Sequence, residues 1–460
     1  MKGALTEGPV GRTLINKAIP MVLGIAAVIF FNIVDTFWVG QLGATPLAAM
    51  SFTFPVTFVV LSLAMGMGIG ATSVISNAIG HGNEDRVRRL TTDSLFLANV
   101  FVVVLAIIGL LTQTSLFAML GADPDIIPLI KNYMTPWYLG VGFLVIPLVG
   151  NSAIRATGDM KTPALIMMVA GTVNAVLDPF LIFGLGPFPR LELQGAALAT
   201  VVSWMCSFIA AFWVLSRRDR LLDFSLPRID VLWASWRELL YVSLPAAGTN
   251  ILTPLAGAVL TRIVAEQGTE AVAAWGVAGR IESLALVGIM ALSTAITPFA
   301  GQNLGAGRCD RLREGIRFSI RASFAWGLGV AAIFAVLAPW LASIFSDSAT
   351  VNGHVIYFLW IVPVSYTMLG VGNLVSAFYN GSKQPMRAAL ISVFRLFIFA
   401  IPLGLIGARL GNMTGLFIGV AAANGLTGLV SIIFVHRFID DAQQKLDREA
   451  SGPVPLTAAT

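Results

Sequence analysis

The chain has 460 residues, of which 57% are hydrophobic and 12% are charged, and its mean hydropathy is +0.83. A soluble domain has about 45–50% apolar and about 25% charged residues. The charged residues are too few to cover the surface of a soluble protein of this size. The high content of hydrophobic residues excludes a disordered chain. The composition therefore predicts a polytopic membrane protein. Its net charge of +5 then reports membrane topology rather than nucleic-acid binding.

Twelve apolar stretches are each long enough to cross a bilayer as a helix, which takes about 20 residues. They are continuous rather than alternating, which excludes a β-barrel. The first contains Asn32 and Asp35 and has no cleavage site of small residues after it, so we expect a membrane helix and not a cleaved signal peptide. The twelve stretches are 15–38, 47–76, 91–117, 128–152, 162–184, 195–215, 239–264, 272–300, 316–345, 353–379, 386–408 and 414–436.

The lysines and arginines are divided unequally between the two sides of the predicted bundle. The side that holds the N-terminus and the even-numbered connections has 23 of the 29, and the other side has four. Arg280 and Arg395 fall inside predicted spans. Because cytoplasmic loops are enriched in Lys and Arg, both termini are predicted to be cytoplasmic.

The sequence contains an internal repeat. Residues 79–88 after the second span match residues 304–313 after the eighth, with two glycines, one aspartate and two arginines at an offset of 225, and Lys161 matches Lys383 at an offset of 222. Two six-helix halves of the same orientation follow, as in transporters built from parallel repeats. The predicted organisation is an N-terminal lobe (1–215), a cytoplasmic linker (216–238), a C-terminal lobe (239–438) and a cytoplasmic tail (439–460).

Two carboxylates, Asp35 and Asp178, lie inside predicted spans of the N-terminal half. An ionised carboxylate at the centre of a membrane helix costs roughly 2.5–3.5 kcal/mol, so such residues are typical of transport pathways. Their repeat mates are Leu260 and Ala400. Because a feature of the scaffold would recur in both halves, this asymmetry indicates a functional site. The alternatives are a helix-end acid for Asp35 and a structural cap for Asp178.

Polar residues accompany the two acids. Asn174 lies four residues before Asp178 and shares its helix face, and Asn151 and Thr200 are predicted to add an amide and a hydroxyl to the same interior. Two coupled carboxylates titrate as a pair, which suits a proton-loading site. The same oxygens can hold Na⁺, and the amides and hydroxyl can simply join helices, so the residues alone leave these alternatives open.

Two further features concern movement and the other half. Pro20 lies in the first half of the helix that carries Asp35, and a proline favours a kink. Protonation of Asp35 could therefore bend this helix at Pro20, although a proline at the repeat position, Pro245, favours a static kink. In the C-terminal half, Arg280, Glu282 and Arg395 are predicted to form either a buried ion pair or a coupling network.

Together these features resemble the multidrug and toxic compound extrusion (MATE) family over essentially the whole chain, and the paired acids are similar to those of its DinF-like bacterial and archaeal branch. The resemblance implies an all-α, V-shaped pair of six-helix bundles working by alternating access. It also implies an antiporter that exports cationic, lipophilic drugs or dyes in exchange for H⁺ or Na⁺. The motifs that carry it are 35–40 (Asp-Thr-Phe-Trp-Val-Gly), 80–82 (Gly-His-Gly), 155–163, 174–179 and 195–200.

The resemblance also assigns residues. Asp35, Asn174, Asp178 and Thr200 match the coupling-ion site of that branch, which could also hold Na⁺. The residues assigned to the substrate cavity are Tyr133, Asn151, Phe31 and Asn32. The acids of the sodium-coupled branch on helices 7 and 10 are missing, which favours protons. No cofactor and no resident metal are expected, and the protein is expected to be a monomer in the bacterial or archaeal inner membrane.

Other classes fit the sequence less well. A flippase for lipid-linked precursors of the same superfamily would favour an arginine-rich cavity for phosphates, whereas the N-terminal interior is acidic. An ATP-driven pump is disfavoured because there is no Walker motif. An intramembrane enzyme is disfavoured too, because no Gly-x-Gly-Asp follows an apolar run. The leading prediction is a proton-coupled drug antiporter, with a sodium-coupled antiporter or a flippase as the alternatives.

Overall fold

The structure, a computed structural model, describes residues 4–225 and 228–451. Residues 226–227 of the predicted linker and 452–460 of the predicted tail lie outside the described residues. The described chain is helical almost throughout and contains no β-strand within these ranges. Long apolar helices follow from the composition, because a helix satisfies its own backbone polar groups and so tolerates hydrocarbon around it.

The N-terminal half contains six long helices. At the beginning of α3, the Asn83 side chain accepts a hydrogen bond from the backbone of Arg86 at 3.0 Å and two acids follow in the first turn, both favourable at a helix N-terminus. The helices are α1 (Val10–Gly40), α2 (Ala44–Gly80), α3 (Glu84–Met119), α4 (Ile127–Ala156), α5 (Lys161–Phe183) and α6 (Leu193–Trp213), which continues as a π-helical turn over Val214–Arg218. We call this half the N-lobe.

The C-terminal half, the C-lobe, repeats this plan with more interruptions. Its helices are α7 (Ile229–Ala265), α8 (Thr269–Ala285), α9 (Val287–Gly305), α10 (Cys309–Phe345), α11 (Ala349–Ile361), α12 (Tyr366–Gly381), α13 (Pro385–Val393) and α14 (Ile401–Ser451). A 3₁₀ turn (Val362–Ser365) joins α11 to α12, and a π-helical segment (Phe394–Ala400) joins α13 to α14.

These helices make the twelve spans that the sequence predicts. Helices α8 and α9 meet at a bend of 47° and form one span, and α11 with α12 forms another. The run Pro385–Asp441 has 57 residues, far more than one span needs, and the non-helical backbone of Gly411 and Asn412 divides it into two. The protein is thus an all-α, multi-pass membrane protein, as predicted.

Helices extend into the predicted linker and into the predicted tail. Helix α7 begins at Ile229, so the last ten residues of the predicted linker are helical. Helix α14 continues to Ser451, so the described part of the predicted tail is helical as well. Charged residues flank the apolar runs in the sequence, so a criterion based on apolar runs gives spans that are shorter than these helices.

The two lobes meet at the end of the bundle where α1 begins, which we call the basic end. Gly66 of α2 packs on Ala247 of α7, and a Cβ atom at Gly80 would lie 2.3 Å from the carbonyl oxygen of Gln302. The Ser73 hydroxyl donates to the carbonyl oxygen of Asn380 at 2.5 Å. Small residues here let the backbones approach closely.

The N-terminal segment seals this contact. The backbone N–H of Leu5 donates to the Gln302 side chain at 3.0 Å, and the Gln302 amide donates to the carbonyl of Ala156 in the N-lobe at 2.6 Å. Arg311 binds the carbonyl oxygens of Leu5 and Gly8 at 3.2 and 2.7 Å. The lobes are therefore joined by buried hydrogen bonds at the basic end.

Toward the opposite end the lobes part. In the first half of α2, Phe54 is 63% exposed, and in the second half of α7, Leu255 is 53% exposed. The same two helices are in close contact nearer the basic end. The result is the predicted V-shaped pair of bundles, with a cleft that widens away from the basic end.

Candidate functional site

The centre of the N-lobe site is the carboxylate of Asp178 on α5, which is fully buried. The amide of Asn174, one turn earlier, donates to Asp178 Oδ1 at 3.3 Å and lies 3.3 Å from Thr200 Oγ1 on α6. Thr200 donates its hydroxyl proton to the carbonyl of Ala196 at 3.0 Å, so its oxygen is free to accept from Asn174. The predicted grouping of these three side chains is what the structure has.

Glycine brings α1 close enough to α5 to add Asp35. A Cβ atom at Gly171 would lie 2.0 Å from the Phe31 ring, and a Cβ atom at Gly24 would lie 3.0 Å from the backbone of Ala164. Phe31 therefore sits directly on bare backbone of α5. One helical turn further along α1, the carboxyl of Asp35 comes within hydrogen-bonding reach of Asp178.

One oxygen of each acid, Asp35 Oδ1 and Asp178 Oδ2, is buried without a hydrogen-bond partner. Two carboxylates this close repel each other strongly in a low-dielectric interior. A proton shared between them, or a small cation, would relieve that repulsion. The arrangement can therefore hold one proton or one small monovalent cation between the two acids.

Tyr133 of α4 completes the surroundings of the acid pair. Its side chain is buried and lies close enough to Asp35 and Asp178 to interact electrostatically with both carboxylates. Asn151 is on the same helix but 18 residues further on, which at 1.5 Å per residue is about 27 Å away. The prediction that Asn151 joins the interior group around the acids is therefore not what the structure has: its buried amide lies toward the basic end.

Asn32 and Pro20, the remaining predicted site residues on α1, differ in their surroundings. Asn32 is exposed and its amide donates to the carbonyl of Val28 at 2.8 Å, so this amide is bound to its own helix and not to the acid pair. Pro20 is half-buried within α1, which is one continuous helix from Val10 to Gly40. The structure thus gives α1 as one uninterrupted helix through Pro20, and the hinge at Pro20 stays a prediction.

Of the three charged residues predicted to interact in the C-lobe, Arg280, Glu282 and Arg395, only two meet. Glu282 and Arg395 are half-buried and interact electrostatically, with the Tyr366 hydroxyl facing Glu282. Arg395 donates to Asn373 Oδ1 at 3.4 Å. Arg280 is exposed and points elsewhere, because residues two apart on a helix do not face the same side. The prediction of one set of three was therefore wrong for Arg280.

Tyr366 and Asn373 are the polar partners that the sequence interpretation missed. Asn373 had a signal, since it is the repeat mate of Asn151. Tyr366 had none, because it follows a 3₁₀ turn whose position is set by packing. In the described residues there is no cluster of three or more His, Cys, Asp or Glu that could hold a metal ion.

Comparison with known proteins agrees with this architecture. The family model described as MatE matches residues 20–180 and 245–406, once in each lobe. The chain is 36% identical over 436 residues to a protein named FAD transporter from Shewanella oneidensis, covering 95% of this chain and 96% of that one. It is 27% identical to the probable multidrug resistance protein YoeA of Bacillus subtilis, covering 94% of each.

Solved structures give the same result. The Vibrio cholerae MATE transporter VcmN in the bent form superimposes with a TM-score of 0.90 at 28% identity, over 94% of this chain and 98% of that one. An outward-facing multidrug resistance MATE family transporter superimposes with a TM-score of 0.89 at 27% identity, over 96% and 99%. The chain belongs to the MATE family of membrane transporters.

Proposed function

We propose that this transporter is a proton-driven antiporter of the multidrug type, which exports cationic lipophilic compounds through the cleft between its lobes. The observation that carries the proposal is the buried pair of Asp35 and Asp178, each with an unpartnered oxygen. Exchange of one proton for one monovalent cation moves no net charge, so the pH gradient drives it; each pH unit supplies about 1.4 kcal/mol, which is enough to concentrate the substrate about tenfold. The Bacillus subtilis relative, which is named a probable multidrug resistance protein, supports the substrate class.

The proposed cycle uses the acid pair as the coupling element. A proton entering from the end opposite the basic end binds between Asp35 and Asp178, lowers the charge of the pair from −2 to −1 and relieves their repulsion. Helix α1 then bends at Pro20, the N-lobe interior changes shape, and the substrate leaves. The missing hydrogen bond at Pro20, which has no N–H, makes this the easiest place for α1 to bend. We also propose that the protein lies in the inner membrane with both termini on the cytoplasmic side.

A second substrate class is favoured by one specific observation. The relative with 36% identity is named an FAD transporter, and its identity exceeds the 27% of the multidrug relative. We propose flavin nucleotides as the second candidate cargo of the same cleft. FAD carries an anionic pyrophosphate and an aromatic ring system, so it would need a cationic contact that ethidium does not.

The test is efflux from proteoliposomes that contain the purified transporter. Ethidium and FAD are loaded separately, and a pH gradient or a Na⁺ gradient is imposed. Efflux driven by the pH gradient and lost in Asp35→Asn, but kept in the exposed control Asp125→Asn, is the expected result. Efflux driven only by Na⁺ would move the same residues to a sodium site. No efflux of either compound would contradict the proposal and favour the flippase alternative.

A further inference from the structure

The outward face of α8 differs from the other exposed faces of the protein. It carries Ala273, Gly276, Arg280 and Ser283, which follow one another at helical spacing and are all exposed. The opposite face of α8, including Ala274 and Ala278, packs into the C-lobe core. The exposed residues therefore point away from the lobe to which α8 belongs.

A lipid-facing helix surface looks different in this protein. The exposed residues of α3 are large and apolar: Val103, Val104, Ile107, Ile108 and Leu111. On α8, by contrast, Cβ atoms at Gly276 and Gly279 would meet nothing within 4 Å, and an arginine lies between the small residues. An arginine in hydrocarbon costs roughly 2.5–3.5 kcal/mol and is found facing water-filled cavities. This composition suits a face that lines a water-filled cleft rather than one that faces lipid.

The charge of Arg280 is not neutralised by its neighbours. In the part of the chain that the structure describes, no carboxylate lies within ion-pair distance of Arg280. Glu282 is turned to the lobe interior, where it faces Tyr366 and Arg395. The acids of the N-lobe face each other.

The adjacent helix offers a second donor. Asn250 of α7 lies one turn beyond Ala247, on the side where α7 leaves its contact with Gly66 of α2. Its Nδ2 atom is buried and has no hydrogen-bond partner. On the C-lobe side, α8 thus carries an exposed cation and α7 carries a buried amide donor that has no partner.

We propose that Arg280, assisted by Asn250, forms a binding site for the phosphate groups of an anionic nucleotide substrate in the cleft. This inference rests on the flavin-nucleotide candidate of the proposed function and names the residues that recognise it. The planar guanidinium binds two phosphate oxygens at once, and a carboxamide N–H adds a directed third contact. The repeat mate of Arg280 is Pro55, so the site belongs to the C-lobe alone.

The test compares three flavins that share one ring system and differ in phosphate content: FAD, FMN and riboflavin. Efflux of each is measured from proteoliposomes with the wild-type protein, Arg280→Gln and Arg280→Lys, beside ethidium. Losing charge-assisted hydrogen bonds costs about 1.5–3 kcal/mol, so Arg280→Gln should lower FAD efflux at least about 10-fold. Riboflavin and ethidium efflux should stay within about twofold, and Arg280→Lys should keep an intermediate FAD rate.

The matched control is Arg409→Gln, which removes an exposed arginine from the end of a C-lobe helix. Unchanged FAD efflux in Arg280→Gln would overturn the inference. An equal loss for riboflavin and ethidium would overturn it too, because it would show a structural role for Arg280. FAD affinity of the detergent-solubilised protein, measured by flavin fluorescence, gives a second readout for a variant that transports poorly.

The wild-type protein separates this inference from the proposed function. Ethidium efflux without FAD efflux would overturn the phosphate site and leave the drug antiporter in place. FAD efflux that survives Arg280→Gln would leave the nucleotide cargo in place and overturn only the residue assignment. Loss of all efflux in Asp35→Asn, with normal FAD binding, would place coupling in the N-lobe and binding in the C-lobe.

Discussion

At the repeat positions where the N-lobe carries Asp35 and Asp178, the C-lobe carries Leu260 and Ala400. Both C-lobe residues are buried, and Leu260 fits against the bare backbone of Gly404. The same helix arrangement therefore packs well with apolar side chains in this place. The acids of the N-lobe are not needed for the fold, and a buried charge is costly, which indicates that their value is functional.

For the arginines, it is the C-lobe that carries the charged residues and the N-lobe that does not. The C-lobe has Arg280 and Arg395 where the N-lobe has Pro55 and Val173. The cleft is thus bounded by a lobe with an acidic interior and a lobe with basic side chains. Helix packing depends on many residues along each helix and is therefore similar in the two halves of the repeat. A few polar positions can differ between the halves without disturbing that packing. The following predictions test this division of roles.

The largest effect is expected from removing the acid that has no C-lobe counterpart. Asp35→Asn should abolish gradient-driven efflux, because an amide cannot accept the coupling proton at this position. The repeat-mate variant Leu260→Asn should change efflux far less. The measurement is initial efflux rate in proteoliposomes, with monodispersity in detergent as the check on folding. Equal effects of the two variants would contradict the difference between the lobes.

The next effect concerns the close approach of α1 and α5. Gly171→Leu should push Phe31 aside and move Asp35 away from Asp178, because the new Cβ would lie 2.0 Å from the ring. Overpacking of this kind costs typically about 1–3 kcal/mol, and we expect a strong loss of efflux together with a lower melting temperature. Gly329→Leu on α10, where nothing lies within 4 Å, is the control and should do neither.

A smaller effect distinguishes the two prolines. Pro20→Ala restores a backbone hydrogen bond in α1 and should slow efflux several-fold while leaving substrate binding unchanged. Pro245→Ala in the C-lobe should leave the rate close to that of the wild type. Stopped-flow efflux and equilibrium dye binding separate the two properties. A normal rate in Pro20→Ala would show that the proline makes only a static contribution.

The smallest effect is on stability at the basic end. Asp159 begins α5 by accepting bonds from the backbone of Lys161 and Thr162 at 3.0 and 3.1 Å, and Arg218 binds its other oxygen at 2.7 Å. Burial alone would raise the pKa of Asp159, but the bonds from Thr162 and Arg218 outweigh it and hold the pKa below its usual value. Gly381 occupies the repeat position in the C-lobe.

Asp159→Ala should therefore destabilise the protein by about 1 kcal/mol, as for other helix caps, with little effect on efflux. Because the folded pKa is lowered, this stabilisation is present above pH about 3.9 and is lost as the pH falls through the folded value. Melting curves of the wild type and the variant should converge in that acidic range. A constant difference down to pH 3 would mean that the carboxylate charge contributes nothing.

The sequence alone predicts the membrane class, the twelve spans, the duplicated halves and the grouping of Asp178 with Asn174. These depend on local properties: apolar length, the period of a helix, and residues repeated at a constant offset. An acid inside an apolar run is conspicuous for the same reason. The outward direction of Arg280 was also open to a periodicity argument, since it lies only two residues from Glu282.

Only the tertiary structure decides which of these residues meet. Asn151 and Tyr133 share α4, but its length separates them, whereas Asp35 and Asp178 lie far apart in the chain and meet because Gly171 admits Phe31. The closure at the basic end depends on Gln302 and Arg311 reaching the N-terminal segment, which no local pattern encodes. Local chemistry thus determined which side chains this transporter can use, and helix packing, which joins residues hundreds of positions apart, decided where each of them acts.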